Sequence, residues 1–368
     1  MPIFFDNRKA PIKPGCSTHT NFLTRTDCLR HVPEASAKRT VFHAISPTLG
    51  PAKVQAQKPR RRKPALVPAA AGPGPWPKHD SLRRHLVDYR KEFVVKPGKK
   101  IHLRRIDPEY TGGHESHEKA LPGIQKYVQR MEKLQYLLYA DGNRSLLVVL
   151  QGLDAGGKDG TIRHLFTGMN PQGTAVFGFK QPSTEESAHD FLWRAHQRVP
   201  RKGEIVIFNR SHYEDVLVVR VHKLLKKSVW SKRYALINDF ERLLARNGTR
   251  VLKFFLHISP EEQLARFAQR LDDPARNWKI SASDYTEREL WPEYLSAHEE
   301  ALAKTSTQEA PWYVIPSNNK WFRDLAISQI IADSLEEMRL KLPPTRVDLK
   351  EIRRKYHAAV KAMKGRSE

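Results

Sequence analysis

The sequence predicts an α/β protein, a three-layer α/β/α arrangement in which a parallel five-stranded sheet lies between helices. Three observations carry this. Short apolar runs alternate with stretches of helical periodicity from about residue 120 onward. Runs such as Leu146–Leu150, and Ile205–Phe208 after Glu204, are continuously apolar, as strands covered on both faces are. Polar clusters follow directly after the strands, where open parallel sheets bind ligands.

Taken in order, Leu82 to Phe93 reads as a short helix, and Ile106-Asp107-Pro108 and Thr111-Gly112-Gly113 read as turns. Ile124, Tyr127, Val128, Met131, Leu134, Leu137 and Leu138 recur at helical spacing over Leu121 to Tyr139, and Asp141-Gly142-Asn143 stops that helix. Leu146–Leu150 is the first strand, Ala175–Phe179 the second, Glu204–Phe208 the third, Val251–Ile258 the fourth and Trp312–Ile315 the fifth. Helices are expected at Glu185–Gln197, Val216–Leu225, Tyr234–Asn247, Pro260–Leu271 and Trp321–Leu340, with a polar stretch at Asp272–Asp284.

The centre of the chain is the segment after the first strand. Gly152, four residues, then Gly157-Lys158 has the spacing of a phosphate-binding loop, between a strand and a helix as that motif requires. Glycines let backbone amides turn toward one point, and with the helix N-terminus and Lys158 they form a nest for phosphate oxygens. Gly152, Ala155, Gly156 and Gly157 are therefore candidate phosphate-contacting positions. Two features depart from the usual pattern. Asp159 stands where a Ser or Thr is usual, and Asp154 sits inside the loop. Two acids in an anion site repel phosphate unless a cation lies between them, so both are expected to face magnesium.

Formal net charge is +24 over 368 residues, with a sequence pI near 10.0. Such a balance calls for an acidic partner, which is nucleic acid, an anionic membrane or a polyanionic substrate. Cys16 and Cys28 are the only cysteines and both precede the folded region, which suits a reducing compartment. No apolar run reaches membrane-span length and no signal-peptide core follows Phe4-Phe5, so the expected location is the cytoplasm. Residues 1–77 read as a disordered, basic, Pro/Ala-rich extension, residues 78–342 as the catalytic domain and residues 343–368 as a basic tail with a helix at Lys350–Lys364.

A second cluster follows the third strand, at Asn209-Arg210-Ser211-His212-Tyr213-Glu214. Asn209 is neutral where a phosphate-loop enzyme usually places a strand-end acid. Glu214, one helical turn on, is either the missing carboxylate or an acid placed at a helix N-terminus. Arg210 presents a planar fork suited to phosphate. Arg266 and Arg270 share one face of a helix that reads as a lid closing on phosphates. Trp278, beside Lys279, offers a stacking surface for a base. Arg163, Lys180 and Arg220 are channel cations for a polyanion or ordinary surface charges.

These residues together resemble the family-2 polyphosphate kinases. The resemblance rests on Gly152-Leu153-Asp154-Ala155-Gly156-Gly157-Lys158-Asp159-Gly160, on Asn209-Arg210-Ser211-His212-Tyr213-Glu214-Asp215-Val216, and on Arg270-Leu271-Asp272-Asp273-Pro274 with Trp278-Lys279. Pro311-Trp312-Tyr313-Val314-Ile315-Pro316 and Lys320-Trp321-Phe322-Arg323 support it, so that it spans roughly residues 100 to 340. It implies a P-loop kinase fold with a helical lid at about 260–290. It implies phosphoryl transfer between inorganic polyphosphate and AMP, ADP or ATP with Mg²⁺ or Mn²⁺, no membrane or specific nucleic-acid partner, and a homodimer or homotetramer. Carried over, Asp154, Lys158, Arg210 and Arg270 are catalytic, Asp154 also holding metal. Asn209 with Glu214 resembles class III members, which act on both mono- and diphosphates, and Glu214 joins the catalytic and metal-facing sets. Relatives commonly have alanine at Gly156, a change expected to be tolerated. The rival readings are an ATP-dependent nucleotide or nucleoside kinase on the same fold and a nucleic-acid-stimulated ATPase.

Overall fold

The computed structural model describes residues 87–365. The extension at 1–77, Cys16, Cys28 and the start of the helix expected at Leu82 lie outside the described residues. The strands are β1 (Ser145–Gln151), β2 (Thr174–Gly178), β3 (Ile205–Asn209), β4 (Thr249–His257) and β5 (Trp312–Pro316). They pair in parallel throughout, in the order β2-β3-β1-β4-β5. In chain order the helices are α1 (Tyr89–Phe93), α2 (His117–Asp141), α3 (Lys158–Leu165), α4 (Thr184–Ala188), α5 (Trp193–His196), α6 (Glu214–Val221), α7 (Lys227–Trp230), α8 (Arg233–Arg246), α9 (Pro260–Asp272), α10 (Ala282–Glu289), α11 (Trp291–Thr305), α12 (Lys320–Glu337) and α13 (Leu349–Lys364).

Every residue of β1 is buried because both faces of the strand are covered. Leu146, Val148 and Leu150 pack into a core built with α2, α3 and α12. Leu147 and Val149 point the other way, into a core built with α6, α8 and α11. Alternate side chains thus feed two cores, which is why the strand reads as an unbroken apolar run. Each such side chain contributes about 1.5–3 kcal/mol relative to exposure.

Two sequence expectations need correction. The single helix expected over Glu185–Gln197 is two short ones. Ser183 and Glu186 form a capping box that starts α4. The Asp190 carboxylate then accepts the Leu192 amide at 2.9 Å, which turns the chain before α5. Side-chain-to-backbone bonding by a single aspartate overrides the apolar period. The second correction is an omission: the sequence expectations contain no helix where α11 lies. Its Leu295, Ala301 and Leu302 are buried against the core shared with α6 and α8, and its proline sits in the first turn, where no donor is lost.

The α6/α8/α11 core contains a buried charge cluster. Lys253 on β4 donates to Glu241 of α8 at 2.5 Å, to the Tyr213 hydroxyl at 2.9 Å and to the Thr305 carbonyl at 2.6 Å. All three ammonium hydrogens are thereby used. Tyr213 donates to the other Glu241 oxygen at 2.9 Å, and His212 Nε2 lies 3.3 Å from it. Burial opposes charge on Glu241, but Lys253 and His212 outweigh it and hold the carboxyl below its ordinary range. The cluster anchors His212 and Tyr213, and with them the segment that follows β3. Lys253→Met leaves Glu241 buried without its cation and is expected to lower stability by about 3–5 kcal/mol. Lys253→Met with Glu241→Leu should recover most of that loss. Urea denaturation midpoints of the two variants check this.

Candidate active site

After β1 the chain passes to α3 on one face of the sheet, and after β3 it passes to α6 on the other. The crevice between these two exits, at the carboxyl ends of the strands, is where an open parallel sheet binds ligands. The loop after β1 supplies one wall. Ala155 has φ 59° and Gly157 has φ 103°, so the backbone curls before Lys158 opens α3. Among the described residues, no acceptor takes the amides of Ala155, Gly157, Lys158, Asp159 or Gly160. These donors make an anion nest at a helix N-terminus.

The loop carbonyls, in contrast, are satisfied. Lys158 Nζ donates to Gly152 O at 2.7 Å and Leu153 O at 3.1 Å. Gln263 Nε2 donates to Asp154 O at 2.8 Å. Arg266 Nη1 donates to Ala155 O at 2.7 Å, and Arg323 Nη1 reaches Gly157 O at 3.3 Å. Arg266 also donates to Glu262, Ser317 O and Asn318 O. It is buried, at 6 % exposure, and its guanidinium is committed to these acceptors. The expectation that Arg266 faces phosphate is corrected: it holds the loop from behind. A Cβ at Gly156 would lie 2.8 Å from the Leu153 carbonyl oxygen, so alanine there requires the loop to shift.

Charged groups of both signs line the crevice. Burial, followed by the positive charge of Arg210, lowers the Lys158 pKa to about 8, against the opposing carboxylates of Asp154, Glu214 and Asp159. Arg210 itself has φ 61°, a left-handed conformation that costs a non-glycine residue about 1–3 kcal/mol and marks functional turns. Its amide is fixed to Leu150 O at 3.1 Å and its Nη2 donates to Asp154 Oδ1 at 2.7 Å. Glu214, at the first turn of α6, lies 4.0 Å from Arg210 Nη1. Burial raises the Glu214 pKa, with Arg210 pulling the other way.

Asp159 receives the Asn209 side-chain amide at 3.0 Å and Lys279 Nζ at 3.2 Å. Although burial works against its charge, these two donors keep its pKa below the ordinary value. The expected metal trio of Asp154, Asp159 and Glu214 does not form one cage, and among the described residues no three His, Cys, Asp or Glu side chains gather to hold a metal ion. The donor set still suits Mg²⁺, which takes one or two carboxylates and completes its shell with phosphate and water.

The segment expected to form a lid is α9, a turn and α10. Arg270 donates to Lys279 O at 3.0 Å and sits 3.8 Å from Asp284, tying that turn. Trp278 is 77 % exposed, with Lys279 over its ring at 4.9 Å. Arg288 on α10 donates to Gln263 at 2.9 Å, so α10 connects through Gln263 to the loop. Arg163 and Lys180 are exposed, Lys180 lining a groove along β2. The channel expectation for Arg220 is not met: it is paired with Glu300 at 2.6 Å and lies 5.0 Å over Trp230, so that it joins α6 to α11.

A cleft with about 500 Å³ of empty space, open solvent included, runs from Asp154 and Arg210 toward Trp291, Tyr294 and His298. The last three belong to α11 and are absent from the sequence expectations with that helix; Leu295, His298 and Leu302 at helical spacing are the available signal. Burial pushes the His298 pKa down to about 4, and its ring is held by the Tyr294 carbonyl at 2.8 Å. The His298 imidazole is one of the groups that line this cleft. At the loop itself, Gly157→Ala would place a Cβ 2.2 Å from Arg323 Nη1 in a backbone conformation that disfavours alanine. Steady-state assays should show a loss of kcat/KM of at least about 100-fold, the size expected when positioned donors are displaced, while circular dichroism shows the helical content retained.

The family model for polyphosphate kinase 2 matches residues 115–343. A Meiothermus ruber protein named AMP/ADP-polyphosphate phosphotransferase is 52 % identical over 254 residues, covering 69 % of this chain and 95 % of that relative. A Rhodopseudomonas palustris ADP-polyphosphate phosphotransferase is 43 % identical over 271 residues, covering 69 % of this chain and 92 % of that one. The crystal structure of polyphosphate kinase 2 from Arthrobacter aurescens TC1 superposes with a TM-score of 0.71 at 38 % identity, covering 74 % of this chain and 97 % of that one. With its crevice residues in the positions described and this breadth of match, the chain belongs to the polyphosphate kinase 2 family.

Proposed function

We propose that the protein transfers phosphoryl groups from inorganic polyphosphate to both nucleoside mono- and diphosphates, making ADP from AMP and ATP from ADP, reversibly and with Mg²⁺ or Mn²⁺. The observation that carries the dual acceptor range is the β3 exit. There the neutral Asn209 spends its amide on Asp159, while the nearby carboxylate is Glu214, 4.0 Å from Arg210. The name of the Meiothermus ruber relative, which specifies AMP and ADP, supports the dual range, and that of the Rhodopseudomonas palustris relative supports the diphosphate acceptor.

The chemistry needs little covalent help from the protein. A terminal oxygen of the acceptor phosphate, already ionised, attacks the terminal phosphorus of the polyphosphate in line. The new P–O bond forms as the bridging P–O bond breaks, and the shortened polyphosphate leaves with the electron pair. Loop amides and Lys158 hold the phosphates, and Arg210 exchanges Asp154 for a phosphate oxygen as charge develops. Glu214 orients Arg210 through their ion pair. Asp154 and Asp159 would hold Mg²⁺, which would supply charge neutralisation.

The direct test supplies Mg²⁺ and polyphosphate with AMP in one reaction and ADP in another, and separates the nucleotides by chromatography. ATP in both reactions is the expected outcome. ATP from ADP alone removes the monophosphate activity, and transfer only from ATP to a nucleoside or monophosphate removes the polyphosphate reading. Lys158→Ala should abolish nearly all turnover with the fold retained. The pH profile gives a further check. Lys158 is charged below its pKa of about 8, so kcat/KM is expected to fall as pH rises through that value. In Lys158→Arg, whose guanidinium stays charged, the alkaline fall should disappear at reduced overall rate.

A further inference from the structure

Helix α13 lies beyond the residues that match the family model, and it has no buried residue. Lys350, Arg353, Arg354, His357, Lys361 and Lys364 recur at offsets of 3, 4, 7, 11 and 14, which places them on one face. At 1.5 Å per residue the stripe is about 21 Å long. Glu351, the acid within the helix, points elsewhere and pairs with Lys355 at 2.6 Å. None of Lys350, Arg353, Arg354, Lys361 and Lys364 has an ion-pair partner among the described residues.

Like charges at helical spacings of three and four destabilise the helix that carries them. A row of cations with no ion-pair partner among the described residues is electrostatically incomplete there, and a linear polyanion laid along it would relieve the repulsion and release its own counterions. We propose that α13 is an accessory docking stripe for the polyphosphate chain, outside the transfer crevice, gripping distal phosphates of a long chain whose end is being consumed. This rests on polyphosphate being the substrate. The stripe suits a ligand that is all backbone: it has five ammonium or guanidinium groups and one imidazole, with no run of aromatic or amide side chains to stack on or read bases. Holding the chain at two places raises the effective concentration of its end at the crevice. Only chains long enough to reach both places benefit, and the chemical step is untouched.

The test uses the full chain carrying Lys350→Gln, Arg353→Gln, Arg354→Gln, Lys361→Gln and Lys364→Gln, with ADP as acceptor and either long-chain polyphosphate or tetraphosphate as donor. The KM for long chains is expected to rise about tenfold or more, with kcat and the tetraphosphate KM unchanged. The slope of log KM for long chains against log salt should fall by about 0.7 for each phosphate that the stripe no longer neutralises. An unchanged long-chain KM, or an equal rise for both donors, would overturn the proposal. So would loss of binding to single-stranded DNA or to phosphatidylserine vesicles with the long-chain KM intact, which would assign the stripe to that partner. No transfer from either donor by the unsubstituted protein would overturn the substrate reading itself, and the docking role with it.

Discussion

A loop that turns its amides toward an anion must turn its carbonyls away, and those carbonyls need donors of their own. This constraint organises the region around the crevice. Gln263 and Arg266 of α9 take Asp154 O and Ala155 O, Arg323 of α12 takes Gly157 O, and Lys158 takes Gly152 O and Leu153 O. The donors come from elements on different sides of the loop. Each is a long side chain that donates to a loop carbonyl with no ligand present, so the nest exists before any phosphate arrives, and Lys158 keeps its charge and its third hydrogen for the ligand. Preformed donors need no reorganisation as charge develops, which is where electrostatic catalysis gains most.

The same logic extends outward. Several buried charges among the described residues are held in networks. Lys253 uses all three of its hydrogens, Arg266 four acceptors, and Arg194 both the Lys180 carbonyl and Asp215. Such networks add little net stability compared with apolar packing, and removing one member is costly. Their effect here is positional: the Lys253 cluster fixes Tyr213 and His212, and these lie between Arg210 and the body of α6. Arg210 can then be kept in a left-handed conformation that an isolated peptide would avoid.

Much of this was legible in the sequence because strand burial and the loop spacing are local signals. β1, its loop and the start of α3 read directly, and so did the strand leading to Asn209 and Arg210. What did not read depends on contacts across the fold. Arg266 and Arg270 look alike on a helical wheel, yet one is buried under the loop and the other ties a turn, and only tertiary packing separates them. Arg220 looks like a free cation until Glu300 is brought 2.6 Å away by α11, the helix that the sequence expectations lack. The break between α4 and α5 turns on one side-chain-to-backbone bond from Asp190. The ion pairs of Asp159 with Lys279 and of Asp154 with Arg210 likewise come from contacts between distant segments.

The claim that the nest is held from behind is tested most directly by amide hydrogen exchange at Ala155, Gly157 and Lys158, with and without polyphosphate, in the native protein and in Arg266→Met. If the buried guanidinium sets the loop, polyphosphate should slow exchange at these amides in the native protein, and Arg266→Met should lose that protection while β1 and β4 exchange as before. Equal protection of the loop amides in both proteins would contradict it.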